Sequence, residues 1–254
     1  MSINMELMKK KLATLRGEGG NESSPWFKPE EGDTDIRIVP TNDGDPLKEM
    51  YFHYNVGEHR GGIVCPKRNY GEGCPICEFA SSLWKEGTSN NDEESKKLAK
   101  SLFVRARFFS PVVVRGREEE GIKVYGYGKR AYELLLGYIL DPEYGDVTDA
   151  MEGTDIALTY TKPTTPGAYP QTSLKMRRNS SPLLEDTEAI PALMDRMPDF
   201  DSLFERLSPS DVGAILDEQL AGSQGAEARS TETTKYGQKT NEVDRAFEEL
   251  MATK

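Results

Sequence analysis

The sequence predicts a mainly β protein of the α+β class with peripheral helices. Residues 35–40 alternate apolar and polar side chains with a period of two, as a strand with one buried face does. Residues 102–115 form a longer strand-like run, and a Gly-bounded turn leads to a return strand at 122–129. With 254 residues, the chain can form one large domain or two small ones.

The elements follow one another in a mixed order. We expect strands, by their alternation and turn boundaries, at 26–28, 35–40, 47–56, 102–115, 122–129, 155–162 and 172–178. We expect helices, by their apolar spacing, at 78–84, 93–101 and 130–140, and from 183 onward. Helices therefore interrupt the strands instead of alternating with them regularly.

A short segment concentrates the metal-ligating side chains. All three cysteines and both histidines lie within residues 53–77, and Cys74-Pro-Ile-Cys77 is a tight pair that lets two thiolates bind one ion. Cys65 and one histidine complete a Cys₃His set. Four protein ligands leave no position for water, so we predict one structural zinc ion. Either histidine can be the fourth ligand; we favour His53, which lies in a strand-like run, over His59, which lies among glycines.

Other interpretations of these cysteines fit less well. A disulfide would leave one of three thiols over, and the N-terminal sequence has no signal-peptide pattern. No βαβ pattern surrounds Cys74 and Cys77, as a thioredoxin-like motif requires. Neither His53 nor His59 is followed two residues later by the Glu of a zinc deaminase.

The charge is unevenly distributed. The net charge is −11, which by itself disfavours nucleic acid as a ligand. Residues 96–130, however, carry ten basic and three acidic side chains, whereas residues 183–254 carry seven basic and sixteen acidic ones. This pattern predicts a polyanion site with an acidic appendage. No apolar run has the length of a membrane span, so we expect a soluble cytoplasmic protein.

The basic central block interleaves cations with aromatic rings. Its candidate nucleic-acid-binding residues are Arg105, Arg107, Phe108, Phe109, Tyr125, Tyr127, Lys129, Arg130 and Tyr132. Single strands are bound by cations along the phosphates and by rings stacked on bases. Neighbouring strand residues point to opposite sides, so one of Phe108 and Phe109 is expected in the core. Lys175 and Arg177, in the short basic strand at 172–178, are further candidates for lining a cleft.

Both ends of the chain differ from its centre. Residues 1–20 predict a basic helical arm with Lys9, Lys10, Lys11 and Arg16, ended by glycines. Residues 221–240 have almost no apolar content and predict a flexible linker. The acidic segment 241–251 carries Val243, Phe247 and Leu250 on one face.

Taken together, these parts resemble the gene 32-type single-stranded DNA-binding proteins of large tailed (myovirus) phages. The resemblance covers most of residues 1–220. It is carried by His53, Cys65 and Cys74-Pro-Ile-Cys77, and by Arg105-Ala-Arg-Phe-Phe-Ser-Pro-Val-Val-Val114 with the following Lys123-Val-Tyr-Gly-Tyr-Gly-Lys-Arg130. Residues 178–182 and 197–204 resemble the family's C-terminal region.

The resemblance implies a fold and a function. It implies a five-stranded OB-fold barrel with a zinc-binding subdomain (about 50–85) inside a core at 21–220, between the arm at 1–20 and a linker and acidic tail at 221–254. DNA would lie in a basic, aromatic cleft. Arg105 and Arg107 would contact phosphates. Bases would stack on Phe108, Phe109, Tyr125 and Tyr169.

The implied role is not enzymatic. A gene 32-type protein coats and protects single-stranded DNA, largely without sequence preference, during phage DNA replication, recombination and repair. The arm would link neighbouring molecules along the strand, and the tail would contact replication and recombination proteins, all in the cytoplasm of an infected host. Two other functions stay open at this point: a zinc-containing nucleic-acid enzyme of nuclease or primase type, and a zinc-stabilised protein-interaction adaptor.

Overall fold

A computed structural model describes residues 24–57, 62–165 and 170–230, with side chains described as far as residue 221. The α+β class is confirmed, because one sheet and six helices make up this part of the chain. The strands are β1 (Trp26–Phe27), β2 (Gly32–Ile38), β3 (Lys48–His53), β4 (Ile63–Val64), β5 (Arg105–Val114), β6 (Lys123–Tyr127), β7 (Thr154–Thr161) and β8 (Gln171–Ser180). The helices are α1 (Pro66–Tyr70), α2 (Pro75–Ser89), α3 (Glu93–Leu102), α4 (Lys129–Leu140), α5 (Ile190–Met194) and α6 (Pro209–Ser230).

Strand β5 organises the sheet. The main strand order is β1-β6-β5-β2-β7-β8, and β3 with β4 extends the same sheet beside β5. The N-terminal half of β5 pairs with β3, from Phe52 opposite Arg105 to Lys48 opposite Phe109. Its last residues pair with β2, while its other edge pairs with β6. The long β5 run thus joins every part of the sheet, including the strand that carries His53.

The expected five-stranded closed barrel is not confirmed. The sheet has eight strands, and its end strands β1 and β8 pair only with β6 and β7 among the described residues. The sheet nevertheless curves around one core, which contains Tyr125 of β6 and Leu174 of β8 together. Helix α4 packs against β5 and β8, and the Tyr138 hydroxyl donates to the Leu174 carbonyl at 3.4 Å. A helix, and not backbone pairing, therefore covers this side of the core.

A buried ionic network fastens three strands together. Arg37 is completely buried, and its Nε donates to Asp155 Oδ1 at 2.8 Å. Arg115 Nη2 donates to the same oxygen at 2.8 Å. The two guanidinium groups also donate to the carbonyls of Ser181 and Leu183, at 2.8 and 2.7 Å. Burial lowers the pKa of Arg37, and the Asp155 carboxylate opposes this effect. Because a buried charge needs a partner, the network joins β2, β5 and β7 to the chain that follows β8.

The C-terminal helix completes the core around the cysteine segment. Val212 and Leu216 of α6 are buried in one cluster with Ile76 of α2. The Gln219 side chain accepts a hydrogen bond from the Gly57 amide at 2.7 Å. Helix α6 is therefore part of this subdomain.

Helix α6 also extends into the C-terminal segment that was predicted as a flexible linker. It continues to Ser230, so the first part of the segment predicted as a linker is helical. Residues 1–23 and 231–254, with the predicted arm and the end of the predicted tail, lie outside the described residues. In the described part of the chain, no helix has the length and apolar character needed to cross a membrane.

Candidate metal centre and nucleic-acid interface

Four side chains converge at the end of β3. One ligand atom from each of His53, Cys65, Cys74 and Cys77 lies within 4.8 Å of the other three. His53 is the last residue of β3, Cys65 and Cys74 are the N-cap residues of α1 and α2, and Cys77 lies in the first turn of α2. Proline after each N-cap favours these two helix starts. Local helix signals thus place three thiols around one imidazole.

The geometry matches a tetrahedral ion. His53 Nε2 lies 3.4 Å from the sulfurs of Cys74 and Cys77, and the Cys65 and Cys77 sulfurs are 3.6 Å apart. Ligands about 2.0–2.3 Å from a tetrahedral zinc ion lie roughly 3.3–3.8 Å from one another. His53 Nδ1 donates to the Leu102 carbonyl at 2.8 Å, which leaves Nε2 free to coordinate.

The electrostatics of the cluster favour a cation. Burial on its own lowers the pKa of His53, but the Cys65 and Cys74 sulfurs raise it to about 9. Hydrogen bonds with Cys74 and Cys77 lower the pKa of Cys65. Hydrogen bonds with Cys65 and Cys74 raise the pKa of Cys77. Negative charge is therefore favoured on the Cys65 sulfur, and a soft divalent ion would neutralise it. The four residues predicted as ligands could hold zinc with no open position. His59 lies in the undescribed stretch 58–61.

A cleft of about 730 Å³ opens beside this cluster. Arg105, Arg107 and Phe109 are alternate residues of β5 and all line it. Both arginines are exposed, and neither pairs with an acidic side chain in the part of the chain that the structure describes. Burial raises the pKa of Tyr54, and the nearby Arg107 and Arg105 oppose this effect. The cleft thus combines two free cations with aromatic rings.

Sequence reasoning missed several rings of this cleft. Trp26, Phe52, Tyr54 and Phe204 also line it. Phe52 and Tyr54 alternate with His53 in the same run of residues, so period-two analysis of that strand could have placed both on one face. No local pattern brings Trp26 and Phe204 to the same place.

Three of the predicted stacking rings belong instead to the core. Phe108, Tyr125 and Tyr127 are buried on the opposite face of the sheet from Phe109. Phe108 stacks on Tyr132 with ring centroids 3.9 Å apart, and the Tyr127 and Ser110 hydroxyls are hydrogen-bonded at 2.7 Å. Burial raises the pKa of Tyr125 to about 12. These rings are not accessible to bases in this conformation, because alternation along β5 and β6 turns them inward.

The remaining predicted residues lie apart from the cleft lining. Lys129 and Arg130 are exposed at the start of α4, and Lys129 lies 3.5 Å from Glu133. Lys175 and Arg177 are exposed on β8, where Arg177 donates to Asp35 at 2.7 Å. Tyr169 and the arm residues Lys9, Lys10, Lys11 and Arg16 fall outside the described ranges.

A basic, aromatic cleft next to a buried Cys₃His cluster is typical of a nucleic-acid-binding protein. The family model described as gp32 DNA binding protein like matches residues 30–219, and the chain belongs to that family. A comparison with curated proteins gave no match. The resemblance to gene 32-type proteins is thereby confirmed, and membership of this family supports a single-stranded DNA-binding role.

The cluster predicts the outcome of removing its histidine. We expect the purified protein to retain about one equivalent of zinc and the His53→Ala variant to retain far less, because three ligands bind more weakly than four. Metal content measured by mass spectrometry after desalting tests this. The matched variant His59→Ala should keep its zinc. Loss of zinc from His59→Ala, with retention in His53→Ala, would contradict the ligand assignment.

Proposed function

We propose that this protein binds single-stranded DNA, largely without sequence preference, and coats it during phage DNA replication, recombination and repair. The observation that carries the proposal is the shared face of Arg105, Arg107 and Phe109, which lies beside Trp26 and Tyr54 in one cleft. Membership of the gp32-like family supports it. The role is that of a cytoplasmic binding protein without enzymatic activity.

The cleft chemistry suits a single strand. Every base has a π-face, so rings bind bases without selecting a sequence. Guanidinium groups bind phosphates and carry no sequence information either. In a duplex the base faces are already stacked on each other, so a cleft that combines rings with cations favours unpaired bases.

We further propose that the Cys₃His cluster holds one structural zinc ion. Cys65, Cys74, Cys77 and His53 would be its ligands, and the ion would join β3 to helices α1 and α2. Zinc affinity would then contribute to the folding stability of this subdomain. The ion would support the position of β3, which carries Phe52 and is followed directly by Tyr54.

Substitution of Arg107 tests the DNA-binding proposal. Arg107→Ala should weaken binding to all single-stranded sequences alike and reduce the slope of log affinity against log salt by about one, because one phosphate contact is lost. The matched variant is Arg196→Ala, which removes an exposed arginine that does not line the cleft. Fluorescence anisotropy with single-stranded and duplex oligonucleotides at several salt concentrations measures both effects. Equal or tighter binding to duplex DNA would rule out the proposal.

We propose that the N-terminal arm links neighbouring molecules along the strand. Residues 1–20 form a basic segment with Lys9, Lys10, Lys11 and Arg16, and glycines separate it from the body. Deletion of residues 1–20 should leave binding to an oligonucleotide of one-protomer length nearly unchanged. It should weaken binding on long single strands, where neighbours meet. Equal losses on both lengths would show that the arm is an ordinary phosphate contact.

We also propose that the C-terminal segment contacts phage replication and recombination proteins. Val243, Phe247 and Leu250 offer an apolar face within the acidic stretch 241–251. Truncation after Ser230 preserves helix α6, and it should abolish co-purification with replication proteins while DNA binding persists. A double variant, Val243→Ser with Phe247→Ser, should give the same loss in the full-length chain. Retention of every contact by the truncated protein would refute this role.

A further inference from the structure

A segment from the C-terminal part of the chain lies in the cleft. After the short turn Phe200–Ser202, the Phe204 ring packs among three rings of the cleft. Its centroid is 4.9 Å from that of Phe109, 5.3 Å from that of Phe52 and 5.5 Å from that of Trp26. These three rings come from β5, β3 and β1, so Phe204 covers the aromatic surface where the strands meet.

The same segment brings negative charge to the cleft. Glu205, which is exposed, lines the cleft together with Arg105 and Arg107. Asp199 and Asp201 are exposed in the preceding turn. The segment thus places a ring on the aromatic surface and a carboxylate in the lining of the cleft that holds the two arginines. A nucleotide would offer the same two groups, a base ring and an anionic phosphate.

Side chains, and not backbone pairing, attach this segment to the body. Phe200 and Leu203 pack beside Phe204 against the cleft cluster, and Leu207 packs against the cluster of the cysteine segment. Among the described residues, the backbone hydrogen bonds of 199–207 are local ones, such as Ser202 N to Asp199 O at 3.2 Å and Leu203 N to Phe200 O at 3.3 Å, and none joins it to the sheet. Outside the cleft, Arg206 pairs with Glu72 and lies 4.2 Å from the Tyr70 ring centroid. Both charged groups of that pair are substantially exposed, and such pairs contribute little. The segment can therefore leave the cleft without disrupting the sheet.

We propose that residues 199–207 act as a built-in competitor of single-stranded DNA. This inference rests on the proposed function and specifies how the same cleft is regulated. Phe204 occupies the aromatic surface that a base would use, and Glu205 lines the same cleft as the two arginines. A strand must displace both groups to bind there. Only a ligand that supplies both rings and negative charge can replace both groups, so the segment would favour such ligands in this cleft.

Removal of the ring tests the proposal. Phe204→Ala should bind a fluorescent oligothymidylate of one-protomer length more tightly, by a factor on the order of ten, because three ring contacts no longer compete. Tyr144→Ala is the matched variant, since it truncates an exposed ring that neither lines the cleft nor belongs to this segment. It should bind like the unaltered protein. Weaker binding by Phe204→Ala would show that Phe204 is itself a stacking ring, and unchanged binding would also overturn the proposal.

A second variant and a second ligand separate the ring from the charge. Glu205→Gln is a surface change that leaves packing intact, and it should tighten binding at low salt more than at high salt. A heparin fragment, which is polyanionic but has no base rings, should respond to Glu205→Gln and not to Phe204→Ala. A heparin response to Phe204→Ala equal to the oligonucleotide response would contradict competition for a base position.

Hydrogen exchange gives a direct readout of displacement. Saturation with oligothymidylate should speed amide exchange in residues 199–207, whereas slowed exchange would mean that the strand binds over a segment that stays in place. The experiments distinguish failure of the DNA-binding proposal from failure of the competitor proposal. Absence of salt-dependent binding by the unaltered protein defeats the proposed function, while normal binding without tightening in Phe204→Ala defeats only the competitor.

Discussion

The position of His53 on β3 is the constraint on which the rest of the site depends. Its imidazole is completely buried and contacts two sulfurs on α2 as well as the last carbonyl of α3. Because side chains alternate along a strand, His53 faces the cysteines while Phe52 and Tyr54 face the cleft. Phe52 also pairs with Arg105 in the β-ladder. The metal cluster and the cleft therefore share one strand, and whatever holds His53 also sets the spacing between the aromatic rings and the arginines.

The buried network of Arg37, Arg115 and Asp155 sets where the C-terminal part of the chain starts. Its hydrogen bonds end on the carbonyls of Ser181, Pro182 and Leu183, directly after β8. Loss of one partner would leave an uncompensated buried charge, which typically costs about 3–5 kcal/mol. The chain is thus fixed at 181–183 and again at α6, where Val212 and Leu216 are buried. Residues 199–207 lie between these two anchors and are held mainly by side chains.

The sequence predicted the metal cluster and part of the cleft because both depend on short-range patterns. Cysteine spacing identified the thiols, and the strand context of His53 favoured the histidine that lies beside them in the structure. Alternation along β5 places Phe108 and Phe109 on opposite faces, but both rings are buried, whereas only one of them was expected in the core. The same alternation could not say which face is covered, so Tyr125 and Tyr127 were predicted at the interface although they are core residues. Arg37 is the opposite case. A cation in an alternating strand normally indicates a solvent-facing position, yet Arg37 is completely buried.

Long-range contacts account for the other differences. The five-stranded barrel was implied by resemblance, whereas the pairing of β1 with β6 and of β3 with β4 depends on contacts that no local pattern encodes. Helix α6 continues into a segment with few apolar residues. Its first turns are buried against α2. In residues 221–230 the Ala, Gln, Glu and Arg residues favour the helix, while Gly222 and Gly225 oppose it. The low apolar content of residues 221–240 predicted a linker. The helix that begins at Pro209, and packs through its first turns, continues into the first half of that segment.

Placement of the acidic residues resolves how a chain of net charge −11 can bind a polyanion. Residues 183–230 carry eleven acidic and three basic side chains, whereas residues 231–254 carry five and four. The acidic excess therefore belongs mostly to the part that folds against the body. Exposed charges more than about 10 Å apart are largely screened at 0.1 M salt, so the total charge matters less than the groups that line the cleft. Among the described residues, Glu205 supplies the one carboxylate that lines this cleft with Arg105 and Arg107. The local balance favours an anion, and it becomes more favourable still when the segment that carries Glu205 moves away.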